Sequence, residues 1–255
     1  MYKNMLKTSS LISLFILTLL SHSLVAKELL MLTDDGPPHM IAASNSGIDV
    51  DITREVLQLM GHTVTLGFAP LKRTMRQVEN KQADLFLPTF FQSDTDKLFF
   101  SKPIISYRPI ALSLKKKKFK FNNISDLIGL KIVTFQGAAG YFGPEFVKAS
   151  KFDSYFELHN MSKFPEMLIK ERCDVVVLDY YIFYYYLQKY LKQKTTVEFS
   201  VKEIDEFHLF PEVKAHVGFH DKALRNNFDT QFELYKSQGK DKIVITKYLG
   251  EVNPK

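Results

Sequence analysis

The sequence predicts an α/β protein built in two blocks. Three observations lead there. Short apolar runs alternate with amphipathic stretches of helical period, the alternation restarts after a break near residues 112–122, and 255 residues are enough to bury two cores.

The chain opens with Lys3 and Lys7, an apolar run from Leu11 to Leu20, a polar stretch, and Leu24-Val-Ala26 as a small-residue cleavage point. This reads as a three-part export signal over residues 1–26. Its apolar run is about half of the roughly 20 residues that span a bilayer. The remainder is expected to be soluble and periplasmic, and no cysteine follows the run to carry a lipid anchor.

In the first block, Glu28–Thr33 reads as a buried strand ended by Asp34-Asp-Gly-Pro-Pro38. Apolar residues at Ile48, Ile52, Val56 and Leu59 or Met60 predict a helix that Gly61 ends. A strand over His62–Phe68, a helix over Leu71–Asn80 and a strand over Ala83–Leu87 follow. In the second block, Ser125–Ile128 is one helical turn, Leu130–Phe135 a strand, and Gln136–Gly140 a small-residue turn opening a helix. Phe164–Glu171 is helical and Cys173–Leu178 is a β-branched strand. Asp179 then caps a tyrosine-rich helix running to about Leu191. Ala215–Phe219 and the helices from Lys222 to Leu249 are too short for a domain and are expected to return to the first block.

Composition narrows the function classes. The net charge of +6 includes the two leader lysines, and Lys115–Lys118 with Lys120 reads as a solvated loop. No basic stripe interleaved with aromatics points to nucleic acid. Cys173 is the single cysteine, so no internal disulfide forms, and it reads as a buried inert thiol. His216 and His220 share a strand face about 13 Å apart, too far for one metal, and no catalytic metal or nucleophile motif occurs. No cofactor, metal or catalytic residue is expected.

The order of short motifs resembles the bacterial extracellular solute-binding proteins of family 3. Gly47-Ile-Asp-Val-Asp-Ile52 is similar to its Gly-Phe-Asp-Val-Asp-Leu, and Phe100-Ser-Lys-Pro103 to its Phe-Ser-x-Pro. Leu127–Gly137 resembles its Leu-x-Gly-Lys-x-Val-Gly-Val-x-x-Gly, and Arg172–Asp179 its Arg-Val-Asp-Ala-Val-Val-x-Asp. Val78–Asp84 and the C-terminal helices also fall where that family would put them.

The resemblance implies the two-lobed periplasmic binding protein type II fold. Each lobe would be a mostly parallel sheet flanked by helices, with two crossover strands and hinge closure on a ligand. Lobe one would span residues 27–112 and 214–255, lobe two 113–213. The partners implied are a small-molecule ligand and a membrane ABC permease, or alternatively a signalling receptor, read by a monomer. A periplasmic dehydratase-like enzyme is the remaining alternative.

Ligand candidates are the residues just past the strand ends. They are Asp35, His39, Thr89, Phe90 and Phe91 from the first block, with Gln136, Gly137, Ala138, Asp179 and Tyr180 from the second. The turn at Gln136–Gly140 is expected to offer free backbone N–H groups to an oxygen, in preference to being only a tight turn that needs glycine. Asp179 could meet a ligand ammonium or serve as an N-cap. Phe90 and Phe91 could stack on a ligand or fill core. Pro70-Leu-Lys-Arg73 resembles the Pro-Trp-x-Arg element of one branch, which makes Arg73 the best candidate for a bidentate contact to a carboxylate or similar oxyanion, and it is otherwise a surface residue. Amino-acid binders of the family carry a Thr-x-Glu-Arg element whose Arg grips the α-carboxylate. Gln92–Lys97 has no Arg, only Lys97 beside Asp94 and Asp96. A standard α-amino acid is therefore not the expected ligand.

Overall fold

A computed structural model of the chain describes residues 26–151, 154–194 and 198–250. The export signal expected over residues 1–26 lies, but for Ala26, outside the described residues. Among the described residues no helix is long and apolar enough to cross a membrane.

Two sheets form. The first contains β1 (Glu28–Thr33), β2 (Thr63–Phe68), β3 (Leu85–Thr89), β4 (Phe99–Phe100), β5 (Ile105–Tyr107) and β11 (Val213–Phe219). Its order is β2-β1-β3-β11-β4, with β5 also on β11. β1 runs parallel to β2 and β3, while β11 is antiparallel to its neighbours. The second holds β6 (Pro109–Leu114), β7 (Ile132–Phe135), β8 (Tyr155–Leu158), β9 (Val175–Asp179) and β10 (Ile204–Phe207) in the order β10-β6-β9-β7-β8. Its β7, β8 and β9 are parallel, and β6 and β10 are antiparallel additions. The chain passes between sheets at Arg108 and again between β10 and β11, so the C-terminal segment does return to the first sheet.

The expected strand at Ala83 starts two residues later, and the one at Leu130 starts at Ile132. The cause is shared. Asp84 accepts from the Leu30 amide, and Asp174, just before β9, accepts from the Lys131 amide. Polar side chains there tie down neighbouring backbone before the ladder begins.

Helices cover the faces: α1 (Ile48–Leu59), α2 (Leu71–Glu79), α7 (Lys222–Ser237) and α8 (Lys240–Leu249) on the first sheet, and α3 (Ala138–Phe142), α4 (Pro144–Ala149), α5 (Phe164–Ile169) and α6 (Tyr180–Gln193) on the second. One apolar core runs from β1 and α1 through α6 into β6 and β9. The tyrosine-rich α6 contributes Tyr180, Tyr181, Tyr184, Tyr185 and Tyr190, all buried, so most of its rings pack. Each such ring stabilises the fold by about 1.5–3 kcal/mol. Tyr184 also donates to Glu206 on β10.

The Gly-Ile-Asp-Val-Asp motif is a structural anchor. Gly47 has φ +142°, and a Cβ there would lie 2.2 Å from the His39 carbonyl oxygen. Asp49 and Asp51 are both buried at the start of α1. Asp51 accepts from Arg54 (2.7 Å), Lys247 (2.8 Å) and Tyr248 (2.5 Å), fastening α1 to α8.

Cys173 is buried and burial pushes its thiol up to about 12, which makes it a poor nucleophile.

Candidate ligand-binding cleft

The Asp34–Ser46 loop, which follows β1, carries His39 into the junction between the sheets. His39 is 1% exposed. Its Nδ1–H donates to Asp49 Oδ1 at 2.8 Å and its Nε2–H approaches Asp179 Oδ1 at 3.5 Å. One carboxylate comes from α1 on the first sheet, the other from the end of β9 on the second. Burial alone would lower the imidazole pKa, but the two carboxylates outweigh it and raise it to about 9. His39 is thus an imidazolium at neutral pH. Tyr107, on the crossover, stacks on its ring at 4.0 Å and donates to Asp49 Oδ2 at 2.9 Å. Burial, and then Asp49, push the Tyr107 phenol well above its ordinary range.

Asp179 accepts four times. Besides His39, it takes the Arg108 amide at 2.7 Å, the Tyr181 amide at 2.8 Å and the Ile182 amide at 3.2 Å. It is an N-cap joined to the opposite lobe.

Above this cluster opens a pocket of about 290 Å³. It lies at the carboxyl ends of β7 and β9, where open α/β sheets hold ligands. Tyr107, Phe135, Tyr141, Phe142, Met161 and Ile182 give it apolar walls, and Gln136 and Asp179 also reach it. Across the junction, Phe90 meets Tyr107 edge-on at 5.5 Å.

The predicted residues fall into distinct places. Gln136 and Asp179 line the pocket, while His39 is buried below it with both ring nitrogens engaged. Thr89 is buried opposite His216 on β11, and Phe90 and Phe91 are exposed beside it. Tyr180 is buried with the Arg108 guanidinium 4.3 Å from its ring centroid. Asp35 is exposed and accepts from the Ala42 amide, and Arg73 is exposed on α2. Lys97 is exposed, and Asp94 beside it is turned away to Arg225 and the Phe100 amide.

Two of the N–H groups of the Gln136–Gly140 turn are already engaged. Glu157 on β8 accepts from the Gly137 amide at 2.8 Å and the Ala139 amide at 3.1 Å, with Tyr155 donating to it at 2.6 Å. Burial works against the carboxylate, but these bonds still hold Glu157 below the usual range. Ala138 is buried under the same turn.

The chain therefore has two lobes, parallel central strands, antiparallel additions and two crossings. The fold is that of the type II periplasmic binding proteins. Solved structures with this type II fold match over nearly the whole chain. An ancestral cationic amino acid solute-binding protein superposes with a TM-score of 0.68 at 17% identity, covering 87% of this chain and 95% of that one. The unliganded, open L-cystine solute receptor of Neisseria gonorrhoeae gives 0.66 at 15% identity over 89% and 94%. The substrate-binding protein of a polar amino acid ABC uptake transporter from Streptococcus thermophilus gives 0.65 at 17% over 88% and 86%. Identities this low establish a shared type II fold. No protein-family model matches the chain, and no curated protein matches it.

Asp49, Tyr107, Tyr141, Phe142 and Glu157 surround the candidate cleft but are not among the residues picked out from the sequence. Asp49 had a signal, as the first acid of the quoted motif, and Tyr141 and Phe142 lie in Gly137–Gly143, which resembles a Gly-x-x-Tyr-Gly stretch of one branch of the family. Among the described residues, no cluster of three or more metal-ligating side chains forms.

Proposed function

We propose that this chain is a periplasmic solute-binding protein that captures a small solute between its lobes and relays closure to a membrane ABC permease. The observation that carries this reading is the aromatic pocket at the ends of β7 and β9, beside a crossover and facing Phe90 of the other lobe. Ligand sites favour such junctions between lobes.

Gln136, Tyr141 and Phe135 would contact the solute from lobe two, and Phe90, Phe91 and Thr89 would approach from lobe one as the lobes close. His39 and Asp179 would shape the floor, and Arg73 would lie at the edge. A standard α-amino acid is not the solute, because the Gln92–Lys97 segment offers no Arg and the glycine turn is occupied.

Native mass spectrometry of gently isolated protein tests this. A small solute bound one to one, and lost in Tyr141→Ala, is the expected result. Protein that arrives empty and gains no melting temperature from a broad solute panel would refute it. Strong saturable stabilisation by a standard L-amino acid would refute the exclusion alone.

A further inference from the structure

We propose that the solute is an organic cation, an amine or quaternary ammonium with an apolar or aromatic body and no carboxylate. The proposal rests on the solute-binding reading above and narrows its ligand class.

The first reason is the occupied turn. The two amides best placed to hold a ligand carboxylate already hold Glu157, which is further fixed by Tyr155. An incoming carboxylate would have to expel a charged residue of its own sign. Failing that, it would sit largely against aromatic walls with no side-chain guanidinium or ammonium among the lining residues to pair with it, which is costly for an anion. The second reason is the wall chemistry. Tyr107, Phe135, Tyr141 and Phe142 present ring faces and edges, with Tyr141 edge-on to Phe135 at 5.6 Å and to Phe142 at 5.1 Å. Such faces attract cations and repel anions.

The third reason is the charge around the floor. Asp49 and Asp179 flank the cation His39 there, Glu157 holds the turn at the rim, and His159 adds an imidazole to the lining. Asp34 Oδ1 is buried without a hydrogen-bond partner among the described residues, and the Asp34 carboxyl is near enough to Tyr107 to perturb its phenol. Burial pushes Asp34 itself upward. A buried acceptor left without a donor is satisfied by an ammonium and not by another anion.

Calorimetric titration of the full exported chain with phenethylamine, benzyltrimethylammonium, hydrocinnamate and L-phenylalanine tests the inference. The two cations should bind saturably, at least about tenfold tighter than hydrocinnamate. Tyr141→Ala should weaken the cations at least about fivefold, and because Tyr141 is half exposed the variant will still fold. Glu157→Ala should improve hydrocinnamate binding by vacating the turn, and no improvement would remove Glu157 from the argument and overturn the proposal. Hydrocinnamate or L-phenylalanine binding the native protein as tightly as the amines would overturn the cation inference while leaving the solute pocket standing. No saturable binding by either cation would overturn the cation inference, and the solute-binding reading would then stand or fall on the native mass spectrometry above.

Discussion

The floor and the rim of the cleft use the same device for opposite ends. In each, a carboxylate accepts from two backbone amides at the start of a helix: Asp179 from Tyr181 and Ile182, Glu157 from Gly137 and Ala139. Asp179 is buried and shares its load with His39 from the other lobe, so it couples the two sheets. Glu157 is partly exposed and its bonds run only within its own lobe, to the two amides of the glycine turn and to Tyr155. A carboxylate on a pair of amides is therefore not by itself a binding feature. What it touches on its far side decides its role.

The difference should be visible in stability. Asp49→Ala leaves the buried His39 imidazolium without its nearer partner, and urea denaturation should record a loss of about 3–5 kcal/mol. A loss under 1 kcal/mol would mean that the floor is not an ionic cluster. The second effect is one of pH. The folded pKa of His39 is raised from 6.5 to about 9, so its stabilising contribution is fully present below pH 6.5 and is lost as pH rises through 9. The stability of the native protein relative to His39→Gln should fall by on the order of 3 kcal/mol across that window; parallel curves would contradict the cluster. At the rim, Glu157→Gln should cost less than about 1 kcal/mol in the same assay, because its bonds are solvent-accessible. Arg73→Ala, at an exposed position of α2, should change stability by no more than about 0.5 kcal/mol.

Much of the fold was readable because periodicity survives where one face is buried. β1 was predicted residue for residue, and α1 and α2 to within one residue at each end. β6 was not recognised, since its continuous apolar run, PIALSL, has no alternation and runs straight into the lysines. β4, β5, β8 and β10 are two to four residues long, and such short strands are defined by their partners, not by their own composition. The cleft was less legible for a related reason. His39 and Asp179 were both picked out, yet nothing local announces that residues 140 positions apart meet. The bond from Gly137 to Glu157 spans 20 residues and two elements, and the turn alone looks open.

The unequal reach of His39 has a mechanical meaning. Its bond to Asp49 is short, while its approach to Asp179 is 3.5 Å. Were the lobes to draw apart, the break would run between His39 and Asp179. Each half would stay provided for: the imidazolium keeps Asp49 and the Tyr107 stack, and Asp179 keeps three amides. At this contact the molecule can part without leaving either charged group raw.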